Sequence, residues 1–94
     1  MVEVSWGSTV EIERRRRIKL SVAAYAYEFH SDSIISDGEF DDLANKINVQ
    51  ITTGNEIMDD FFREHFSSYT GQWIHTHPDL VNLERIYKKV WKKK

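Results

Sequence analysis

Apolar positions recur along this chain with the period of a helix rather than a strand. Ile18, Val22, Tyr25 and Phe29 stand at i, i+4, i+7 and i+11, with Leu20, Ala24 and Tyr27 as a neighbouring stripe. Ser8-Thr9-Val10-Glu11 has the form of a capping box, so the spacing predicts a first helix from there to about Phe29, uninterrupted by Pro or Gly. A Ser- and Asp-rich stretch from His30 to Ile35 predicts a turn, and Ser36-Asp37-Gly38-Glu39 predicts a second capped start. Phe40, Leu43 and Ile47 give that second helix its inward face, and the short connection predicts an antiparallel helical hairpin.

Residues 48–55 (NVQITTGN) break the period, after which Asn55 is placed to cap a third helix running to about His65. Ile57, Met58, Phe61, Phe62 and Phe66 are its apolar positions. The segment SSYTGQWIHT carries Tyr69, Trp73 and Ile74 and is expected to fold back onto the helices. Pro78 and Asp79 suit the start of a fourth helix whose Leu80, Leu83, Tyr87 and Val90 face inward, with Trp91 as the end of that stripe. The expectation is an all-α fold: an antiparallel helical hairpin plus one or two further helices in a small single-domain bundle.

Length sets the scale of that bundle. A chain of 94 residues supports one compact core and no deep enclosed active site. Hydrophobic residues at 40% suffice for a packed interior. With no Cys there is no disulfide framework, thiolate metal site or thiol nucleophile. No apolar run approaches the roughly 20 residues that span a bilayer, and nothing resembles a signal peptide, so the expected setting is cytoplasmic, away from membranes.

Charge is unevenly placed. The net charge is −2, yet Arg14, Arg15, Arg16, Arg17 and Lys19 cluster near one end and Arg85, Lys88, Lys89, Lys92, Lys93 and Lys94 near the other. Between Glu28 and Glu64 ten acids face only Lys46 and Arg63. Basic ends suit nucleic acid, with Trp73 and Trp91 as stacking platforms; the plainer reading is solvated helix faces and core tryptophans. Four successive arginines, about 100° apart, surround a helix instead of forming one patch.

The stretch YAYEFHSDSIISDGEFDDL, Tyr25 to Leu43, carries the most specific pattern. An aromatic-rich helix end, a polar turn and a helix opening on SDGEFD follow each other without a gap. This order resembles the small helical module at the N-terminus of bacterial NAD-dependent DNA ligases. In that family a Tyr near the end of the first helix and a D-x-x-Y-D at the start of the second face the nicotinamide half of NAD. The positions matching that motif are Tyr27, Asp37, Phe40 and Asp41, with Glu28 beside them. The resemblance implies a cofactor-binding site for nicotinamide mononucleotide or NAD: two aromatic faces about a planar ring, and carboxylates that accept from ribose hydroxyls or the carboxamide. The plainer reading makes Tyr27 and Phe40 hairpin core and Asp37 a helix-start acid.

The chain departs from the family in three ways. Glu28 stands where the family has a His, and a carboxylate there repels phosphate. Phe40 stands where the family has a second Tyr and lacks its hydroxyl. His77-Pro78-Asp79-Leu80 is similar to the family's H-P-E-L but comes 36 residues after Asp41, which makes 48–76 an insertion or added helix. The domain reading is therefore one unit over 1–94: ligase-like hairpin at 18–47, added segment at 48–76, C-terminal helix at 77–91 and basic tail at 92–94. The adenylylating Lys motif and the nucleotidyltransferase core are missing from these residues, so the expected role is non-catalytic. A protein-interaction module that has lost the nucleotide, and a nucleic-acid binder using the basic ends, are the alternatives.

Two fainter patterns complete the reading. His75-x-His77 with His65 or an Asp has the residue types of a metal site, though two His without a third ligand are commonly surface or capping residues. Glu56, Asp59 and Asp60 have the types of a hydrolytic carboxylate pair, with a solvated helix face as the plainer reading.

Overall fold

Two consecutive turns of the first helix are enclosed on every side. In the computed structural model, which describes residues 8–91 except the side chain of Trp91, α1 runs Thr9–His30. All seven side chains from Leu20 to Ala26 are buried. Four of them are Ser or Ala, so neighbouring backbone approaches closely, and α1 becomes the axle of the fold. Helix α2 (Asp37–Lys46), a 3-10 turn (Gln72–Thr76) and α4 (Leu80–Ile86) pack directly against it. Helix α3 (Glu56–His65) completes the bundle, and no strand occurs among the described residues. The protein is a small all-α bundle.

The expected elements form where the capping chemistry places them. Ser36 and Glu39 make the reciprocal capping box of α2, at 3.1 and 3.0 Å. At α1 only half of the expected box is made: Ser8 Oγ accepts from the Glu11 amide, while the Glu11 carboxylate turns to Arg14 and Arg15. Asn55 caps α3 through the Met58 amide. The α1 C-terminus ends at Ser31 in the left-handed region (φ 52°).

The first of the two stripes expected on α1 is corrected by this enclosure. Val22 and Tyr25 are buried, but Ile18 and Phe29 lie towards solvent. An axle helix has no one inward face, so residues near its ends emerge whatever their period. On the last helix Leu83 and Tyr87 are buried as expected, whereas Val90 is exposed. There the chain widens into a π turn (Tyr87–Trp91), whose i→i+5 spacing shifts the phase. The expectations for the Trp91 side chain and for the tail at 92–94 fall outside the described residues. Segment 48–76 is no appendage. Its Phe61, Phe62, Trp73 and Ile74 are core residues, with rings of Phe61, Phe62, Phe66 and Trp73 packed 5.3–6.1 Å apart.

A buried ionic cluster ties that segment to α1. Arg17, 5% exposed, donates from Nε to Glu13 (2.8 Å) and from Nη1 to Asp59 (2.7 Å). Its Nη2 donates to the Asn48 and Ile51 carbonyls, and its guanidinium stacks over Phe62 at 5.2 Å. Glu13 accepts the Asn48 amide, and Asp59 accepts both the amide and the hydroxyl of Thr53. Asp59 is thus a buried partner of Arg17, which overturns its reading as part of a solvated acidic face. Burial alone would raise its carboxyl, but the Thr53 and Arg17 hydrogen bonds outweigh this and hold it below the usual carboxylate range. Loop 48–55 has no ladder of its own, so its backbone is satisfied by these side chains. The loop closes at Gly54, where φ of +92° suits glycine.

Removing one partner leaves the others charged and buried. Arg17→Met is expected to destabilise the fold by about 3–5 kcal/mol, read as a lower urea midpoint, because Glu13 and Asp59 lose their counter-charge. Arg16→Met, on the same helix and less buried, should change stability by about 0.5 kcal/mol or less.

Candidate functional site

The four residues matched to the ligase motif, and Glu28 beside them, all line one cleft. Its volume is about 490 Å³, within the range of small-molecule sites. Helix α1 supplies Tyr27 and Glu28 after the floor residues Ala23 and Ala24; α2 supplies Asp37, Phe40 and Asp41. Asp37 and Asp41, at i and i+4, share one helical face. Tyr27 is 60% exposed, which overturns its reading as hairpin core. Phe40 is half-buried and packs against the core at its inner edge.

The third wall comes from Thr70, Gly71 and Gln72, which sequence reasoning did not assign to the site. A Cβ on Gly71 would stand 3.5 Å from the Phe40 ring and 3.6 Å from the Ala24 methyl, so glycine keeps the cleft floor open. The turn adds Ile34 and Ile35, two apolar residues within an otherwise polar connection. That contrast is a readable signal. The Thr70-Gly71 turn followed by buried Trp73 and Ile74 is another, though nothing local tells where the segment docks.

Charge in the cleft is one-sided. Glu28, Asp37 and Asp41 line it and no Lys or Arg does. From the 3-10 turn, His75 Nε2 lies 3.0 Å from Glu28 Oε1, with its ring edge-on to Phe29 at 4.8 Å. His75 therefore holds the Glu28 carboxylate. Two aromatic rings, three acceptors and an open floor suit a planar ring carrying positive charge and hydrogen-bond donors. No known protein family, curated protein or solved structure matches this chain.

The other sequence candidates are dispersed. His75 and His77 diverge: His77 is buried, its Nδ1 accepts the Asp79 backbone N–H, and its ring meets Phe61 at 5.1 Å. His65 lies against Phe61, and no His, Asp and Glu group of metal-binding size occurs among the described residues. Asp60 pairs with Arg63 on the surface while Asp59 faces inward, so they form no carboxylate pair. Trp73 is a core residue, unavailable for stacking on bases. Arg17 is likewise withdrawn from the basic cluster, although Arg14 and Arg15 remain on the surface. No helix among the described residues is long and apolar enough to cross a membrane.

Burial lowers the His77 ring from its ordinary value to about 4, against a smaller opposing effect of Asp79. Above pH ~6.5 the ring is neutral in both folded and unfolded chains. Below that the unfolded chain takes up a proton that the folded chain refuses, so stability falls with pH until about 4. Urea unfolding between these limits should show a loss on the order of 1–2 kcal/mol assignable to this ring, absent in His77→Asn.

Proposed function

We propose that this chain is a non-catalytic recognition module related to the N-terminal helical module of NAD-dependent DNA ligases, taking nicotinamide mononucleotide or NAD in the α1/α2 cleft. The observation that carries this reading is the convergence of Tyr27, Glu28, Asp37, Phe40 and Asp41 on one cleft. They were selected on residue types and order alone, and a core role for Tyr27 would have buried it.

In this reading the pyridinium ring lies against Tyr27 and Phe40, where its positive charge meets aromatic faces and the Asp37 and Asp41 carboxylates. Ribose hydroxyls and the carboxamide N–H donate to the same carboxylates. The phosphate stays at the rim, where His75 engages Glu28 and tempers its repulsion. The cleft offers positioning and charge complementarity, which is binding chemistry. With the adenylylating Lys motif missing from these residues, the role is recognition of the nucleotide.

An amide-resolved NMR titration with nicotinamide mononucleotide, then NAD, tests the reading. Saturable shifts are expected at Tyr27, Asp37, Phe40, Asp41 and Gly71, and Gly71→Val, which fills the floor between Phe40 and Ala24, should abolish them. A silent spectrum at millimolar ligand would reject nucleotide recognition. It would turn attention to protein partners, for which the exposed residues Ile57, Tyr69 and Val81 are the first to substitute.

A further inference from the structure

A second cleft, of about 220 Å³, opens between α1, α3 and α4, away from the five residues above. Its walls are largely apolar, formed by Ile18, Met58, Phe62, Leu83 and Ile86. The space exceeds the roughly 150 Å³ that accepts a benzene molecule in an engineered protein cavity.

His77 makes this more than a packing gap. It lines the cleft and is only 7% exposed. Its Nδ1 is occupied as acceptor of the Asp79 N–H at 3.0 Å, which leaves the proton of the neutral ring on Nε2. Nε2 has no partner among the described residues, yet it is not one of the fully enclosed unpaired atoms, which are Glu13 Oε1 and Trp73 Nε1. Carried by a side chain that lines the cleft, this N–H is available to an acceptor on a molecule bound there.

The cations beside the cleft are already engaged, Arg17 by Glu13 and Asp59 and Arg14 by Glu11 and the Thr53 carbonyl. An ion placed there would be desolvated against largely apolar walls, so an uncharged occupant is favoured.

We propose that this cleft binds a small uncharged molecule built of one ring-sized apolar body and one carbonyl oxygen, the oxygen accepting from His77 Nε2–H. The apolar body displaces water from between Ile18, Met58, Leu83 and Ile86. The carbonyl fixes its orientation. This site is independent of the nucleotide cleft and stands if nucleotide recognition fails.

The test uses the full chain with benzamide as probe and toluene as the same ring without the acceptor. Saturable shifts at the His77 Nε2 resonance and at the Ser21 and Leu83 amides are expected with benzamide, with toluene roughly fivefold weaker, the value of one hydrogen bond. His77→Asn keeps an acceptor for the Asp79 N–H but loses the Nε2 donor, and should weaken benzamide to the toluene level. Should that variant fail to fold, Ile86→Trp, which fills the cleft from its rim, should remove the response. Equal affinity for the two probes, no saturable response at Nε2, or an undiminished response in either folded variant would overturn the proposal.

Discussion

Everything between α2 and α4 is organised by the Arg17 guanidinium. The connection from Asn48 to Thr53 has neither helix nor strand partners for its backbone, and where it is shielded from water its polar groups need partners. Arg17 supplies donors to two of its carbonyls, Glu13 accepts one of its amides, and Asp59 anchors Thr53. Arg17 offsets one of the two carboxylate charges, and the Asn48 amide and the Thr53 amide and hydroxyl donate to the carboxylates as well, so desolvation is compensated within the cluster. Because Asp59 sits on α3 and Glu13 and Arg17 on α1, this polar knot also fixes where α3 lies. The aromatic layer of Phe61, Phe62, Phe66 and Trp73 then packs on a frame already set, with Phe62 contributing its face to the guanidinium.

The placement of α3 and the 3-10 turn has consequences at both clefts. Burying Trp73 and Ile74 brings Gly71 down onto Ala24 and Phe40, closing one end of the α1/α2 hairpin into a concave site. It also carries His75 to Glu28, 47 residues away along the chain. On a different stretch of α1, Met58 and Phe62 complete an apolar cleft that His77 also lines. A hairpin alone would offer a pair of faces; the added segment turns those faces into pockets.

The C-terminal end is secured by a separate polar contact. Tyr87 donates its hydroxyl to the Asp32 carboxylate and stacks on His30, and this contact together with burial pushes the phenol up to about 12. Asp32 lies in the turn that follows α1, so the last helix fastens the mouth of the hairpin as well as its side. The site-bearing turn is thus held from two directions, by α4 and by its own capping box at Ser36.

Local chemistry determined the helices, their caps at Ser8, Ser36 and Asn55, the hairpin turn, and the shared placement of Tyr27, Asp37, Phe40 and Asp41. Each depends on residues within a few positions of one another, where spacing and capping are readable. The all-α class and the α1 and α2 walls of the first cleft follow from the same signals. Only tertiary structure decided which of four successive arginines turns inward, that Asp59 is its partner, and that Gly71 and His75 complete the first cleft. Charged residues carry no periodic mark of burial, since an Arg in the core and an Arg in water look alike until a distant counter-charge is placed. Such pairings span 42 residues between Arg17 and Asp59, and their energy depends on the dielectric that the assembled core itself creates.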